Sequence, residues 1–329
     1  MKNKEEYYDY LLKQAEEMKY SKMENLFHHI ATPFAMKLNS DFSKKAEEQA
    51  YGQARDRITR GSENLSKEPT LFLVNHGSVS DVSNLYNAVK SQFYIVADAN
   101  QLSEKATTFF NSLIGAVYVK RCLTDEEEKL LKEGKYEVPY ELSGEHAKIY
   151  IINKLLHGNN ATMFFEGTWN MNYDELMLPA KWGAIDIAVA AGVSITPVNI
   201  EYLYDLNKTI TTVLKPIKFS KEDDKAVAIN EVRDAIANSR VAVREEHYGN
   251  GNAIGHYTKE ELDEITIKNM MAYPEMPVME ELKCVFCKTP EEYAKRKEQY
   301  EYFVSLRDEA ARRVAGVEEA KAIRKREKK

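Results

Sequence analysis

Residues 71–84 read LFLVNHGSVSDVSN, and this stretch contains the transition on which the fold depends. Residues 71–74 are apolar and uncharged, as expected of a buried strand. The chain then becomes polar at once, and His76 and Asp81 stand five positions apart. A strand that ends near a histidine, with an acid in the first turn of the next helix, is one way to present a general base. It is also an ordinary way to end a strand, so this stretch alone leaves both interpretations open.

The same strand signal recurs along the next 140 or so residues, with helical patterns between the strands. The further runs rich in apolar and β-branched residues are 93–97, 116–119, 161–165, 194–200 and 209–214. Repeated strand, helix and strand predicts an α/β fold, with a mainly parallel central sheet flanked by helices. We therefore predict an N-terminal amphipathic helical segment at 1–60, an α/β domain at 61–220 and a helical, charged extension at 221–329.

The N-terminal segment has two apolar faces, and Pro33 is predicted to end or kink its second helix. One interpretation is that these faces pack against the body of the domain. The other is an interfacial helix with Phe27, Phe34 and Met36 inserted into lipid.

Composition excludes several classes. A net charge of -6 argues against a general nucleic-acid binder. No run of about 20 apolar residues occurs, so no transmembrane helix is predicted. Three cysteines and no secretory signal at the N-terminus predict a cytoplasmic protein. Cys284 and Cys287 have the spacing of half a zinc site, but no second pair completes it, so we predict ordinary thiols and no metal.

Two further strands lead into polar residues, in GAVYVKR (115–121) and FFEGTWN (164–170). Ligands of open α/β sheets bind beyond the carboxyl ends of the strands. One site is therefore predicted to collect His76, Asp81, Arg121, Glu166 and Thr168. Arg121 offers bidentate recognition of a phosphate, and the amides around Gly167 and Thr168 offer an anion cradle.

A neutral histidine near pH 7 is suited to accept a proton from an alcohol, and Asp81 would fix its tautomer. No Gly-x-Ser-x-Gly serine or reactive cysteine accompanies it. We therefore expect His76 to activate an acceptor hydroxyl directly, without an acyl-enzyme.

These blocks, in this order, resemble the glycerophospholipid (lysophospholipid) acyltransferase family, the relatives of 1-acylglycerol-3-phosphate acyltransferase. The resemblance rests on NHGSVSD, GAVYVKR, FFEGTWN and ITPVNI, the last preceded by AKWGAIDIA, and covers about residues 65–215. It implies an O-acyltransferase that uses acyl-CoA or acyl-carrier protein as co-substrate, with no metal or tightly held cofactor. His76 would be the base, with Asp81 its partner. The acceptor would be a lysophospholipid or another molecule with a free hydroxyl. Its binding residues, in particular for a phosphate if it has one, would be Arg121, Glu166, Gly167 and Thr168.

One departure concerns Trp169, which stands where the family commonly has arginine. Either Trp169 forms a stacking surface for a sugar or another acceptor, or it packs in the core and Arg121 or Lys181 binds the phosphate. An acyltransferase acting on a glycan or polar metabolite is thus one alternative, and a non-catalytic acyl-lipid-binding module is another. The N-terminal helices and the basic C-terminal run are candidates for peripheral contact with the inner face of the cell membrane.

Overall fold

The fold is a seven-stranded sheet with helices on both faces. In a computed structural model, the described residues are 4–103, 105–120, 123, 125–249, 255–272 and 289–327. The strands are β1 (Asp56–Arg60), β2 (Thr70–Val74), β3 (Phe93–Asp98), β4 (Ala116–Val119), β5 (Asn160–Phe164), β6 (Ser194–Leu203) and β7 (Lys208–Val213). Their order is β1-β7-β6-β2-β5-β3-β4. The five strands from β6 to β4 are parallel, whereas β7 pairs antiparallel with β6 and β1 pairs parallel with β7. The predicted fold class is confirmed.

Ten helices are described around this sheet. They are α1 (Lys4–Glu17), α2 (Lys22–Tyr51), α3 (Asp81–Val89), α4 (Lys105–Ile114), α5 (Asp125–Lys132), α6 (Gly144–Leu156), α7 (Gly183–Ala191), α8 (Lys225–Tyr248), α9 (Lys259–Ala272) and α10 (Pro290–Glu327). None of those within the described part of the chain has the length and apolar character needed to cross a bilayer.

Strand β2 shows why the sheet is covered on both sides. Leu71 and Leu73 point into a core with α1, α6, α7 and α8, whereas Phe72 and Val74 point into a second core with α2, α3 and the end of α4. Alternating side chains of a strand face opposite sides of the sheet, so a strand that is apolar throughout requires two cores. β2 therefore lies at the centre, and its carboxyl end places His76 in the middle of the sheet edge.

The N-terminal segment differs from its prediction in two places. Residues 56–60 were expected to be helical but form β1, an edge strand of the sheet. Ile58 is the only apolar residue of this strand, so the hydropathy of the sequence does not indicate a strand here. Of the two effects predicted for Pro33, an end to the second helix does not occur, since α2 continues to Tyr51. Buried residues on both sides of Pro33, including Thr32 and Ala35, hold the two halves of the helix against the body.

The two interpretations of the N-terminal helices each apply in part. Tyr8, Leu11 and Ala15 of α1 are buried in the core beside the sheet. Met36 of α2 is buried as well, so its predicted insertion into lipid is wrong. Phe27 and Phe34 remain half exposed on the opposite face of the same helix.

Candidate active site

The site forms beyond the carboxyl ends of β2 and β5, where the parallel strands leave a crevice. His76 follows β2 by two residues, and Glu166 follows β5 by two residues. The Asn75 side chain fixes the end of β2: its Nδ2 donates to the Ile200 carbonyl (2.9 Å) and its Oδ1 accepts from the Ile200 amide (2.8 Å). The backbone that carries His76 is therefore tied to β6.

His76 and Asp81 form the pair that the spacing predicts. His76 Nδ1 lies 2.7 Å from Asp81 Oδ2, and the Asp81 side chain is fully buried at the first position of α3. The same oxygen accepts from the amides of Gly77 (2.7 Å) and Ser78 (2.9 Å), so the turn between the two residues closes around the carboxylate. Because the Asp81 carboxylate can only accept a hydrogen bond, His76 carries its ring proton on Nδ1, and the free lone pair of the neutral ring lies on Nε2.

The other oxygen of Asp81 is bound by a residue that sequence reasoning missed. The hydroxyl of Tyr202, a buried residue of β6, donates to Asp81 Oδ1, and the Ser80 hydroxyl lies 3.1 Å from the same phenol oxygen. Burial and the neighbouring carboxylate raise the pKa of Tyr202 well above its usual range, so it remains a donor. Two-residue alternation along β6 from Val198 places Tyr202 on the face of β2 and α3, and this was the available signal.

The imidazole of His76 is held between rings and faces a cleft. It stacks on Phe164 with 4.0 Å between ring centroids, and Trp169 lies at 5.1 Å on a tilted plane. Among the described residues, Nε2 has no hydrogen-bond partner, and His76 lines the cleft. The reactive nitrogen is therefore available to a ligand.

Glu166 is placed beside His76 but contacts the protein through both carboxylate oxygens. Oε1 accepts from the His76 amide (3.1 Å) and Oε2 from the Leu178 amide (2.6 Å), and the residue is 1% exposed. Burial raises the pKa of its carboxyl to about 7, against the opposing effects of the Leu178 amide, the Arg240 charge and the His76 amide. Glu166 therefore joins the end of β2 to the loop that follows β5.

The loop after β5 brings three other predicted residues to the site. Gly167 adopts a left-handed φ of 80°, and its amide donates to the Phe164 carbonyl (3.0 Å). That amide is used within the turn, so the predicted anion cradle is wrong for Gly167. Thr168 is buried, and its hydroxyl has no hydrogen-bond partner within the described residues. Trp169 is partly exposed and lines the cleft beside His76, which excludes the interpretation that it packs in the core.

Lys181 and Arg121 are the two side chains predicted to bind a phosphate. Lys181 is exposed and its amide donates to the Phe165 carbonyl, but the residue does not line the cleft beside His76. Arg121 lies outside the described residues, as do Cys284 and Cys287.

The cleft itself extends away from His76 toward the C-terminal helices. Its empty volume is about 680 Å³, part of it open to solvent. Besides the strand ends, α8 contributes Arg240 and α9 contributes residues such as Asn269, while Tyr173 comes from the loop after β5. Sequence reasoning did not select Arg240 or Tyr173, because neither lies in a recognisable block.

This fold and site define an α/β domain that presents a histidine with a buried carboxylate partner to a ligand cleft. Residues 56–201 match the family model named Acyltransferase. The predicted resemblance to the acyltransferases is confirmed over this segment of the chain. The match runs from β1 into β6 and does not reach α8, α9 or α10.

A solved structure is also similar to this chain, that of the 1-acyl-sn-glycerophosphate (LPA) acyltransferase PlsC from Thermotoga maritima. The two are 19% identical, the similarity covers 71% of this chain and 87% of that chain, and the TM-score is 0.43. No curated protein sequence matches this chain significantly.

Proposed function

We propose that this protein transfers a fatty acyl group from acyl-CoA or acyl-carrier protein to a hydroxyl of a lysophospholipid-type acceptor, with His76 as general base. The observation that carries the proposal is the His76–Asp81 pair, 2.7 Å apart, with Nε2 turned to a cleft in an acyltransferase domain. The acyl donor is a co-substrate, and no resident metal or cofactor takes part.

The reaction is a direct attack on the thioester. Nε2 of His76 accepts the proton of the acceptor hydroxyl while its oxygen bonds to the thioester carbon. Asp81 stabilises the imidazolium that forms. The tetrahedral intermediate then breaks its carbon–sulfur bond, and the thiolate leaves with the proton that His76 returns. Proton transfer of this kind contributes about 10²–10⁴-fold, and positioning supplies much of the remaining acceleration.

The reaction type is tested by incubating purified protein with palmitoyl-CoA and a lysophospholipid mixture, following free thiol and products by mass spectrometry. Acylated lipid in step with thiol release is the expected result. Thiol release with free palmitate alone would identify a hydrolase instead. Binding of palmitoyl-CoA without any turnover would favour an acyl-lipid-binding module and contradict the proposal.

A glycan or polar metabolite is the second candidate acceptor, and Trp169 is the observation that favours it. The indole lies in the cleft beside His76, where a flat apolar surface suits the face of a sugar ring. Acceptor profiling of wild type beside Trp169→Arg separates the two. A gain of lysophosphatidate acylation in the variant would show that the indole restricts phosphate acceptors, whereas sugar acylation lost in the variant would favour the glycan.

We further propose that α2 contacts a membrane surface. Six large apolar side chains of this helix are half exposed or more; one is Phe42, and the other five lie in the first half of the helix, namely Met23, Leu26, Phe27, Ile30 and Phe34. Their spacing of three and four residues places them on one face, opposite the buried Met36. An acceptor with a fatty acyl chain resides in lipid, so an apolar helix face that packs beside the catalytic domain would give the enzyme access to it.

Sedimentation with phospholipid vesicles tests this contact. Ile30→Gln with Phe34→Gln should lower the bound fraction severalfold while the fold is retained, because both side chains are exposed. Val227→Gln, which changes an exposed apolar residue on α8, is the matched control. Equal binding of the double variant and the control would refute the membrane contact.

A further inference from the structure

The cleft that begins at His76 has a cationic side formed by α8. Arg240 lines it and is 8% exposed. The residue lies beyond the segment that matches the acyltransferase family model. The Arg240 guanidinium is thus a candidate to bind an anion in the same cleft as the candidate base His76.

Arg240 and Arg244 share a single buried carboxylate. Arg240 Nε lies 2.5 Å from Glu201 Oε2, and Arg244 Nε lies 2.8 Å from Glu201 Oε1. Burial disfavours the charged form of Glu201, yet the two guanidinium groups hold its pKa below the ordinary value, so it is ionised. Two positive charges therefore face one negative charge in a region almost closed to water.

Glu166 does not neutralise the excess positive charge of this cluster. It is near enough for Arg240 to affect its titration, but burial raises its pKa to about 7, so it carries only part of a charge at neutral pH. An excess positive charge in a buried cluster is unfavourable unless an anion compensates it. The net positive charge of the cluster therefore favours the binding of an anionic ligand.

Donor groups for that ligand are also present. Arg240 Nη1 donates to the Leu176 carbonyl, but its Nη2 has no hydrogen-bond partner within the described residues. Tyr173 lines the same cleft, and its buried hydroxyl also has no partner within that part of the chain. The Arg244 guanidinium lies 3.7 Å from the centre of the Tyr173 ring and fixes its position.

We propose that Arg240, together with the Tyr173 hydroxyl, binds an anionic headgroup of the acyl acceptor while the acceptor's free hydroxyl lies against His76. This inference rests on the proposed function and specifies its acceptor. Guanidinium and phenol donors suit a phosphate monoester, and they do so without the arginine that Trp169 replaces.

The test compares two acceptors with the same oleoyl chain, lysophosphatidate and the uncharged monoacylglycerol. Arg240→Gln should lower kcat/KM for lysophosphatidate by about 10- to 100-fold, mainly through KM, and that for monoacylglycerol by much less. Tyr173→Phe should lower the lysophosphatidate value by about 3- to 10-fold. The Tyr173 hydroxyl has no hydrogen-bond partner to lose among the described residues, so Tyr173→Phe is expected to fold and keeps the inference testable if Arg240→Gln does not fold. Arg233→Gln, on the same helix but outside the cleft, is the matched control.

Several results would overturn the inference while leaving the proposed function standing. These are an equal loss for both acceptors, a rise in KM for oleoyl-CoA instead of the acceptor, and a wild type that acylates monoacylglycerol but not lysophosphatidate. Failure of folded wild type to acylate any acceptor would instead refute the proposed function itself.

Discussion

At the scale of single residues, the carboxylate of Asp81 explains most of the site. It has no exposure to solvent, and its charge is met by the His76 ring, by the amides of Gly77 and Ser78, and by the Tyr202 hydroxyl. A buried carboxylate that accepts this many hydrogen bonds remains in one position. It can therefore hold the imidazole in one tautomer and one orientation, which a base that deprotonates a hydroxyl requires.

We propose that Tyr202 positions Asp81 and, through it, His76, and Tyr202→Phe tests that role. We expect the unfolding free energy to fall by about 1–3 kcal/mol, because Asp81 Oδ1 loses its donor in a buried setting. We also expect kcat to fall while KM for the acceptor stays close to wild type, which a loss of stability alone would not produce. Urea unfolding and steady-state kinetics measure the two effects. Tyr94→Phe is the control, because it removes a comparable hydroxyl of a buried tyrosine that donates to Asn25 away from the cleft. An equal drop in kcat in Tyr94→Phe would contradict the positioning role of Tyr202.

Glu166 predicts a pH dependence of stability. Its folded-state pKa of about 7 lies above the ordinary value near 4.5, so the folded protein retains a proton that the unfolded chain releases. The stability from this group is fully present below about pH 4.5 and is lost as the pH rises through about 7. Relative to Glu166→Gln, wild type should lose about 2–3 kcal/mol between about pH 5 and pH 8. Urea unfolding across this range measures it, with exposed Glu68→Gln as the charge control; a constant difference would contradict the raised pKa.

Sequence reasoning located the His76–Asp81 pair because both residues lie on one short turn, where spacing determines proximity. It did not find Tyr202 or Arg240, because their positions depend on strand order and on helix packing. It also assigned Glu166 to the acceptor, whereas the buried carboxylate binds two backbone amides.

At the scale of elements, the sheet edge is built by strands whose ends are fixed in different ways. β2 is buried on both faces and was predicted almost to the residue, as were β3, β4, β5 and β7, whereas β6 extends to Leu203, three residues beyond its predicted end. β1 was missed because it is an edge strand held by pairing with β7 instead of by burial of its own side chains. The turn before β4 depends on one glycine, Gly115, with a φ of +75°.

Gly115→Ala should therefore be strongly destabilising. A Cβ at this position would lie 2.6 Å from the Tyr94 ring, in addition to the penalty for a left-handed alanine. Gly192→Ala is the matched control, since Gly192 has a φ of +67° and open space around it. We expect the control to lose about 1–2 kcal/mol and Gly115→Ala to lose about 1–3 kcal/mol more by urea unfolding. Equal losses of unfolding free energy in the two variants would contradict this prediction, because they would show that the Tyr94 ring moves aside at no energetic cost.

At the scale of the whole molecule, helix α2 links the proposed membrane surface to the site. Its outer face carries Ile30 and Phe34, and at its other end Glu47 binds Arg57 (3.2 Å). Arg57 donates to Asn84 (3.1 Å), and Asn84 donates to Tyr202 (3.3 Å). The helices beyond the family domain close the other side of the cleft with Arg240. The domain that matches the acyltransferases thus lies between the proposed surface for lipid and the proposed pocket for an anionic headgroup.

The central claim is that His76 is the base of an acyl transfer. The most direct measurement is the initial rate of acylated-lipid formation from palmitoyl-CoA by His76→Ala, relative to wild type and to His247→Ala, a histidine on α8 outside the cleft. We predict that His76→Ala lowers kcat by about 10²–10⁴-fold with the fold intact, while His247→Ala stays close to wild type. A folded His76→Ala protein that forms acylated lipid at the wild-type rate would contradict the account.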